Sequence, residues 1–287
     1  MPKNKELPTQ TLKIPKIILI TAKFLEAISP KLATVFAAKL FTTPIKYRIP
    51  KREFHMDKNS RQKVIYIPEI KKEIILYQYG NANKKILLVH GWSGRGTQLV
   101  KIADVLVELG YATISFDAPA HGKSKGTSSI MVEFIASILE LEKQLGPFEF
   151  AIGHSLGGMS ILNAIRDGLQ VKKAVIIGSG DIIQDIIDDF IKKLKLKPEI
   201  GIQLRHHFEK KYGVEMNYYS ASNAAKEVLC PVLIIHDEND IDVPVKAAYH
   251  IKENLKNSEL MITKNLGHRK ILGNTDVIKR IVEYIKE

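Results

Sequence analysis

At residues 153–158 the chain reads Gly-His-Ser-Leu-Gly-Gly, between two segments of contrasting pattern. The segment before it, Phe148 to Ile152, is short and apolar and predicts a buried strand. The segment after it, Met159 to Leu169, carries apolar side chains at helical spacing. A serine on a sharp turn from strand to helix becomes an exposed nucleophile, and glycines flank it because side chains there would collide. Ser155 is therefore the candidate nucleophile.

Two segments downstream supply the other groups that such a serine needs. Residues 231–236 form an apolar run that predicts a buried strand, and an aspartate-rich loop follows it up to Pro244. Residues 259–263 are strand-like and lead into Asn-Leu-Gly-His at residues 265–268. A nucleophile followed by an acid and then by a histidine is the chain order of the alpha/beta-hydrolases.

On these motifs, the chain from about Val64 to its C-terminus resembles the alpha/beta-hydrolase superfamily. The resemblance implies that the acid stands four residues before the proline of a Val-Pro pair, which selects Asp240, and that the base stands in a Gly-His pair, which selects His268. The base would take the proton of the serine, and the acid would hold the imidazole in the required tautomer. Asp237 and Asp242 stay open as alternatives for the acid because they lie in the same loop.

A glycine-rich segment upstream matches the family's oxyanion hole. The apolar run Lys85 to Val89 breaks into His-Gly-Trp-Ser-Gly-Arg-Gly at residues 90–96. The resemblance implies that the backbone N–H groups of Trp92 and Leu156 hold the developing oxyanion. The alternative is that three glycines in seven residues only make a flexible loop.

Other polar residues near these motifs are predicted to be structural. Residues 115–124 resemble the loop after the fourth strand of the family, in which Asp117 and His121 would brace the loops around the site. His90 and His154 are likewise predicted to be hydrogen-bonded supports.

The order of the predicted elements defines the architecture. Two strands around Pro68 begin the sheet, and six further strands alternate with helices, which predicts an α/β alpha/beta-hydrolase fold with a mostly parallel, eight-stranded sheet flanked by helices. We expect a hydrolase domain over residues 61–287 and a helical extension over residues 1–60. The segment of about residues 181–229 is longer than an ordinary connection between two strands. It is predicted to form a helical cap whose apolar face binds substrate. The alternative is a helical excursion that only covers apolar surface.

Composition excludes several other classes of protein. The net charge is +12, but only 8 of the 43 basic residues are arginine, which argues against nucleic-acid binding. The single cysteine, Cys230, excludes an internal disulfide and suits a reducing compartment. No Cys/His cluster and no nucleotide-binding glycine loop is present in the sequence, so we expect neither a metal nor a cofactor.

The basic charge is concentrated at the N-terminus. Residues 1–63 hold 14 Lys and Arg against 4 Asp and Glu. Apolar residues here fall at the spacing of two amphipathic helices, separated by Ser29 and Pro30. Packing of these helices on the hydrolase domain is favoured over the alternative, a peripheral membrane contact through residues 1–50. No apolar run reaches the ~20 residues of a membrane span, and no signal peptide is recognisable, so a cytoplasmic location is predicted. The apolar positions are Ile14, Ile17, Ile18, Leu25 and Ile28 in the first helix and Leu32, Val35, Phe36 and Leu40 in the second.

Together these features predict a serine hydrolase that cleaves a carboxylic ester or a thioester through an acyl-enzyme. The isoleucine-rich cap and Trp92 suggest a small-molecule substrate with an apolar acyl group. An acyltransferase, a lipase recruited to membranes by the N-terminal helices, and a non-catalytic binding module on the same fold are the alternatives.

Overall fold

A computed structural model describes residues 14–287, and its centre is one eight-stranded sheet. The strands are β1 (Arg61–Ile67), β2 (Lys72–Tyr79), β3 (Lys85–Val89), β4 (Ala112–Asp117), β5 (Phe150–His154), β6 (Lys173–Ile177), β7 (Val232–Asp237) and β8 (Ser258–Thr263).

Helices cover both faces of this sheet, and helices also lie near both ends of the described chain. They are α1 (Lys16–Ile28), α2 (Pro30–Phe41), α3 (Phe54–Asn59), α4 (Val100–Glu108), α5 (Met131–Leu145), α6 (Leu156–Arg166), α7 (Ile183–Lys193), α8 (Glu199–Tyr212), α9 (Ala221–Ala225), α10 (Lys246–Asn254), α11 (Gly267–Lys270) and α12 (Thr275–Lys286).

The strands lie in the order β1-β2-β4-β3-β5-β6-β7-β8. Strands β1 and β2 pair antiparallel, β2 pairs antiparallel with β4, and the remaining pairs are parallel. The predicted mostly parallel, eight-stranded sheet is therefore confirmed, and its first two pairings are antiparallel. Strands β4, β5 and β7 are buried along their whole length because helices cover both faces of the sheet.

Strand β5 differs in its bounds from the sequence-based expectation. The apolar run predicted a strand that ends at Ile152, whereas β5 continues to His154. The backbone of Gly153 pairs with Val89, and that of His154 pairs with Ile177, so the ladder continues through two residues that hydrophobicity does not mark. The nucleophile motif thus begins inside the strand, and the turn falls on Ser155.

The segment predicted as a cap contains α7, α8 and α9. Helix α8 begins directly after Pro198. Proline is well accepted before the first turn of a helix because that turn needs no donor from it.

The N-terminal helices pack on this segment. Helix α1 contacts α2, and α2 contacts α8. The Thr34 hydroxyl donates a hydrogen bond of 3.0 Å to the Gln203 side-chain oxygen, and the Glu26 carboxylate accepts one of 2.6 Å from the Lys197 backbone N–H. Residues 1–13 of the predicted extension, which also belong to the predicted membrane-contacting residues 1–50, lie outside the described residues.

The apolar residues of α1 divide between two sides of the helix. Ile18 and Leu25, and Ile14 just before the helix, pack against the core, as the amphipathic pattern suggested. Ile17 and Ile28, which fall at the same helical spacing, are exposed to solvent instead. No helix within residues 14–287 is long and apolar enough to cross a membrane.

Candidate active site

The turn between β5 and α6 presents Ser155 in a strained backbone conformation. Its φ of 54° and ψ of −120° are rarely adopted by a residue other than glycine. The Ser155 N–H donates a hydrogen bond of 2.9 Å to the Ile177 carbonyl, which fixes the turn to the neighbouring strand. A Cβ at Gly157 would overlap the carbonyl oxygen of Val89, so the turn requires glycine there. This is the geometry expected of an exposed nucleophile.

His268 and Asp240 form a hydrogen-bonded pair. Their Nδ1 and Oδ2 atoms lie 2.7 Å apart, and both side chains are largely buried. The other oxygen of Asp240 accepts the backbone N–H groups of Asp242 and Val243, each at 2.9 Å. Burial works to raise the pKa of Asp240, but the hydrogen bonds from His268 and from the backbone prevail and hold that pKa below its ordinary value. Asp240 is therefore suited to remain an anion beside the imidazole.

The two rival aspartates occupy different places. Asp237 is buried at the end of β7, where its Oδ2 accepts the Leu266 N–H at 3.0 Å and the Thr263 hydroxyl at 2.8 Å. It therefore ties down the loop that carries His268 without touching the imidazole. Asp242 lines a cavity and contributes only its backbone N–H to the Asp240 carboxylate.

Neighbouring residues bring the serine and the histidine into one site. The His154 imidazole donates from Nε2 to the carbonyl oxygen of His268 at 2.8 Å, and the two rings lie 4.6 Å apart. Gly178, with a φ of 56°, leaves room for the imidazole, because a Cβ there would lie 3.2 Å from His268 Nδ1. Among the described residues no hydrogen bond joins Ser155 Oγ to His268, a contact that commonly tightens only when substrate binds.

The glycine-rich loop after β3 lies against the serine. A Cβ placed on Gly91 would come within 3.0 Å of Ser155 Cβ. Both Trp92 and Leu156 line the cavity that Ser155 faces. Within residues 14–287 their backbone N–H groups donate to no other group of the protein, so both are free to bind an oxygen of a ligand.

Buried polar residues fix the shape of this loop. His90 donates from Nδ1 to the Gly91 carbonyl at 2.7 Å and accepts the Ala118 N–H at 3.1 Å. Asp117 accepts the N–H of Gly96 at 2.6 Å and that of Lys123 at 2.7 Å, which joins two loops at the strand ends. Burial lowers the pKa of His90 and raises that of Asp117. These contacts are those of supports, as the sequence suggested.

A cavity of about 780 Å³ opens beside Ser155. Its wall is mostly apolar and comes from the serine turn, the helices of the segment 181–229 and the end of α2, with further residues from the loop after β3, the start of α5 and the segment from Asp242 to His250. His268 and Asp240 lie outside this wall. The wall residues most relevant to a ligand are Leu40, Phe41, Leu156, Met159, Ile183, Ile186, Phe190 and Phe208.

One polar pair in the cavity wall escaped sequence reasoning. His250 Nδ1 is hydrogen-bonded to Asp181 Oδ2, and the second oxygen of Asp181 accepts the Ser222 N–H at 2.8 Å. The pair is separated by 69 residues and belongs to no motif, so no local signal in the sequence could have found it. Among the described residues, no group of three His, Cys, Asp or Glu could hold a metal ion.

Comparisons with known sequences agree with this architecture. Residues 84–200 match the family described as alpha/beta hydrolase fold, and residues 215–287 match the family described as TAP-like protein. The mitochondrial palmitoyl-protein thioesterase ABHD10 of Homo sapiens is 25% identical over 193 residues, which cover 61% of this chain. The chain spans 62% of the length of that curated relative.

Solved structures share the fold. An esterase, EaEST, from Exiguobacterium antarcticum superposes with a TM-score of 0.63 at 18% identity, over 79% of this chain and 100% of the esterase. A membrane phospholipase A, described as a bacterial virulence factor, superposes with a TM-score of 0.62 at 14% identity, over 95% of this chain and 100% of the other.

Proposed function

This chain belongs to the alpha/beta-hydrolase superfamily, and from that premise we propose that it is a serine hydrolase that cleaves carboxylic esters or thioesters through an acyl-enzyme intermediate. The observation that supports the proposal most is the 2.7 Å hydrogen bond between His268 and Asp240, next to the strained turn at Ser155. A buried carboxylate that orients an imidazole beside an exposed serine is the arrangement that activates a hydroxyl.

The reaction proceeds in two steps. In the first, Ser155 Oγ attacks the carbonyl carbon while His268 removes the hydroxyl proton, and the carbonyl oxygen becomes an oxyanion. The N–H groups of Trp92 and Leu156 bind that oxyanion. The tetrahedral intermediate then collapses, the alcohol or thiol leaves with the proton from His268, and the acyl group stays on the serine.

The second step releases the acid. His268 takes a proton from a water molecule, the resulting hydroxide attacks the acyl-serine ester, and the serine oxygen recovers the proton as it leaves. Throughout both steps Asp240 stays ionised and stabilises the imidazolium, which its lowered pKa favours.

The substrate carries an apolar acyl group. The cavity volume of about 780 Å³ falls within the range of pockets that enclose a small ligand, and its wall is predominantly apolar. The thioesterase activity named for the human relative supports thioesters as substrates beside oxygen esters. A small molecule that combines an acyl chain with an ester or a thioester bond fits both features.

The test is hydrolysis of acetyl, octanoyl and palmitoyl esters and thioesters by the intact chain. We expect turnover by the wild type and a loss of at least about 10⁴-fold in Ser155→Ala, because the nucleophile is gone. Ser129→Ala is the matched control, since Ser129 also lines the cavity and its hydroxyl makes no hydrogen bond with the described residues. Turnover of the esters by Ser155→Ala at the wild-type rate would exclude the proposed mechanism.

A further inference from the structure

Helix α1 presents a row of large apolar side chains to solvent. The exposed fractions are 67% for Ile17, 64% for Ile20, 64% for Phe24 and 58% for Ile28. Their spacing of three and four residues aligns them along one side of the helix. We call this side, together with its continuation on α2, the outer face.

Helix α2 continues the outer face with Leu32 and Val35, which are 46% and 49% exposed. Single exposed apolar residues are common on protein surfaces, but a contiguous set indicates a surface that binds a protein, a membrane or a ligand. Of the 19 large apolar residues exposed among residues 14–287, six belong to these two short helices. The outer face is therefore a candidate binding surface.

The protein itself does not need the outer face for folding. The opposite side of α1 buries Ala22 and packs Ile18 and Leu25 against the core, while α2 buries Ala33 and Ala37. The helices are thus already attached through their inner sides. Solvation of the outer face costs free energy that the fold does not recover, since hydrophobic stabilisation scales with the apolar area removed from water.

The charge around the outer face is positive. Exposed lysines stand along it at Lys16, Lys23, Lys31 and Lys39. The one acidic residue of the two helices is Glu26, whose oxygens are engaged by the Lys23 ammonium at 2.8 Å and by a backbone N–H at 2.6 Å. A partner that is apolar and negatively charged would complement this surface.

We propose that the outer face lies on an anionic phospholipid bilayer. The isoleucines and Phe24 enter the boundary between headgroups and acyl chains, and the lysines extend their stems along the apolar surface to reach the lipid phosphates. At 13 and 12 residues, α1 and α2 are too short to span a bilayer, which needs ~20, so they lie in the plane of the interface.

A second copy of the chain fits this surface less well. In a two-fold symmetric dimer the same patch meets itself, so the lysines of one copy would face the lysines of the other. No acidic side chain of the two helices is free to compensate for that repulsion, because Glu26 is already paired. An anionic lipid surface offers negative charge across the whole face instead.

The outer face also affects the candidate active site, and this consequence rests on the proposed function. The same helix α2 ends in Leu40 and Phe41, which line the cavity. The ring of Phe41 lies 5.1 Å from that of Phe190 and 5.7 Å from that of Phe208, measured between ring centroids. Docking of the outer face would bring this side of the cavity next to the lipid, which makes acyl esters of lipids its accessible substrates.

The test is co-sedimentation of the intact Ser155→Ala protein with vesicles, which separates binding from hydrolysis. We expect binding to vesicles of mixed phosphatidylglycerol and phosphatidylcholine, and weaker binding to phosphatidylcholine alone. The double variant Ile20→Glu/Phe24→Glu should bind the mixed vesicles at least tenfold less. The matched control is Leu229→Glu, because Leu229 is 71% exposed and lies just before the amino-terminal end of β7. The candidate site lies at the carboxyl ends of the strands, on the other side of the sheet.

A second variant guards against misfolding. Lys31→Gln/Lys39→Gln keeps the apolar residues and should weaken binding to the anionic vesicles alone, with an unchanged circular dichroism spectrum. The proposal is overturned if the intact protein stays in the supernatant with both kinds of vesicle. It is also overturned if Ile20→Glu/Phe24→Glu and Leu229→Glu bind the mixed vesicles equally. The same holds if ultracentrifugation shows that the intact protein is a dimer that does not bind lipid and that Ile20→Glu/Phe24→Glu is a monomer. None of these outcomes depends on whether the protein hydrolyses esters.

Discussion

The His154 side chain donates a hydrogen bond of 2.8 Å from Nε2 to the backbone carbonyl of His268. His154 immediately precedes the serine on the turn, so this bond connects the segment that carries the candidate nucleophile to the segment that carries the candidate base. Burial lowers the pKa of His154 to about 3, which keeps the imidazole neutral. Its role is therefore to position His268 and not to exchange protons.

Removal of this bond should slow the chemical step more than it weakens substrate binding. We expect His154→Leu to lower kcat by roughly 10- to 100-fold with little change in KM, because a displacement of the base by about 1 Å has an effect of that size. His154→Gln should recover part of the loss, since its amide can donate to the same carbonyl. Equal kcat values for His154→Leu and the wild type would contradict this positioning role.

Substitution of the two aspartates in the loop after β7 should give opposite results. Asp240→Asn keeps the shape of the side chain but favours the wrong imidazole tautomer, so kcat should fall by about 10⁴-fold. Asp242→Asn should retain activity within a few-fold, because only its backbone N–H contacts the Asp240 carboxylate. Steady-state kinetics with one ester shows which of the two aspartates the reaction requires. If Asp242→Asn is the inactive variant, Asp240 is not the acid.

The size of the cavity should set the preferred acyl length. Ile186 lies in the cavity wall on α7, and Ile186→Trp would fill part of the space beside Ser155. We expect the ratio of palmitoyl to acetyl turnover to fall at least about tenfold, since overpacking of a pocket costs 1–3 kcal/mol. Ile202→Trp is the control, because Ile202 is half exposed on α8 and does not line the cavity. A ratio that is unchanged in Ile186→Trp would mean that acyl chains bind elsewhere.

Buried histidines should make the fold sensitive to acid. Burial lowers the pKa of His154 to about 3 and that of His121 to about 4, from an ordinary value of 6.5. As the pH falls below 6.5, the unfolded chain takes up protons at these residues while the folded chain does not. Each histidine therefore lowers the free energy of unfolding by up to about 1.4 kcal/mol per pH unit.

Urea unfolding at neutral and at mildly acidic pH measures this dependence. His121→Asn should reduce its slope, because one of the buried imidazoles is gone. Leu229→Gln should leave the slope unchanged, since it alters an exposed residue that carries no titratable group. A slope for His121→Asn equal to that of the wild type would show that His121 is protonated in the folded state.

The sequence is sufficient to predict the fold and much of the candidate site, because those parts depend on local signals. A glycine-flanked serine between a strand pattern and a helix pattern predicts the turn at Ser155 without knowledge of the rest. The later strands alternate with helices and are therefore parallel. The residues that follow the carboxyl ends of these strands meet at one edge of the sheet. Asp240 and His268 are brought together by this topology, although 28 residues separate them.

Other features depend on contacts that no local pattern encodes. Gly153 and His154 belong to β5 through their pairing with neighbouring strands, and hydrophobicity does not mark them. Helical spacing identified the apolar residues of α1, but it cannot separate those that pack inward from those, such as Ile17, that face solvent. The pair of Asp181 and His250 joins α10 to the segment after β6, and 69 residues separate its two members.

The most direct test of the proposed mechanism is covalent labelling of the folded protein by a fluorescent fluorophosphonate, which reacts with activated serines. The wild type should be labelled, and Ser155→Ala, with an unchanged circular dichroism spectrum, should not. Ser129→Ala should be labelled like the wild type. Folded wild-type protein that stays unlabelled, or a Ser155→Ala variant that is labelled as strongly as the wild type, would contradict an activated nucleophile at Ser155 and favour a non-catalytic binding protein or a different reactive residue.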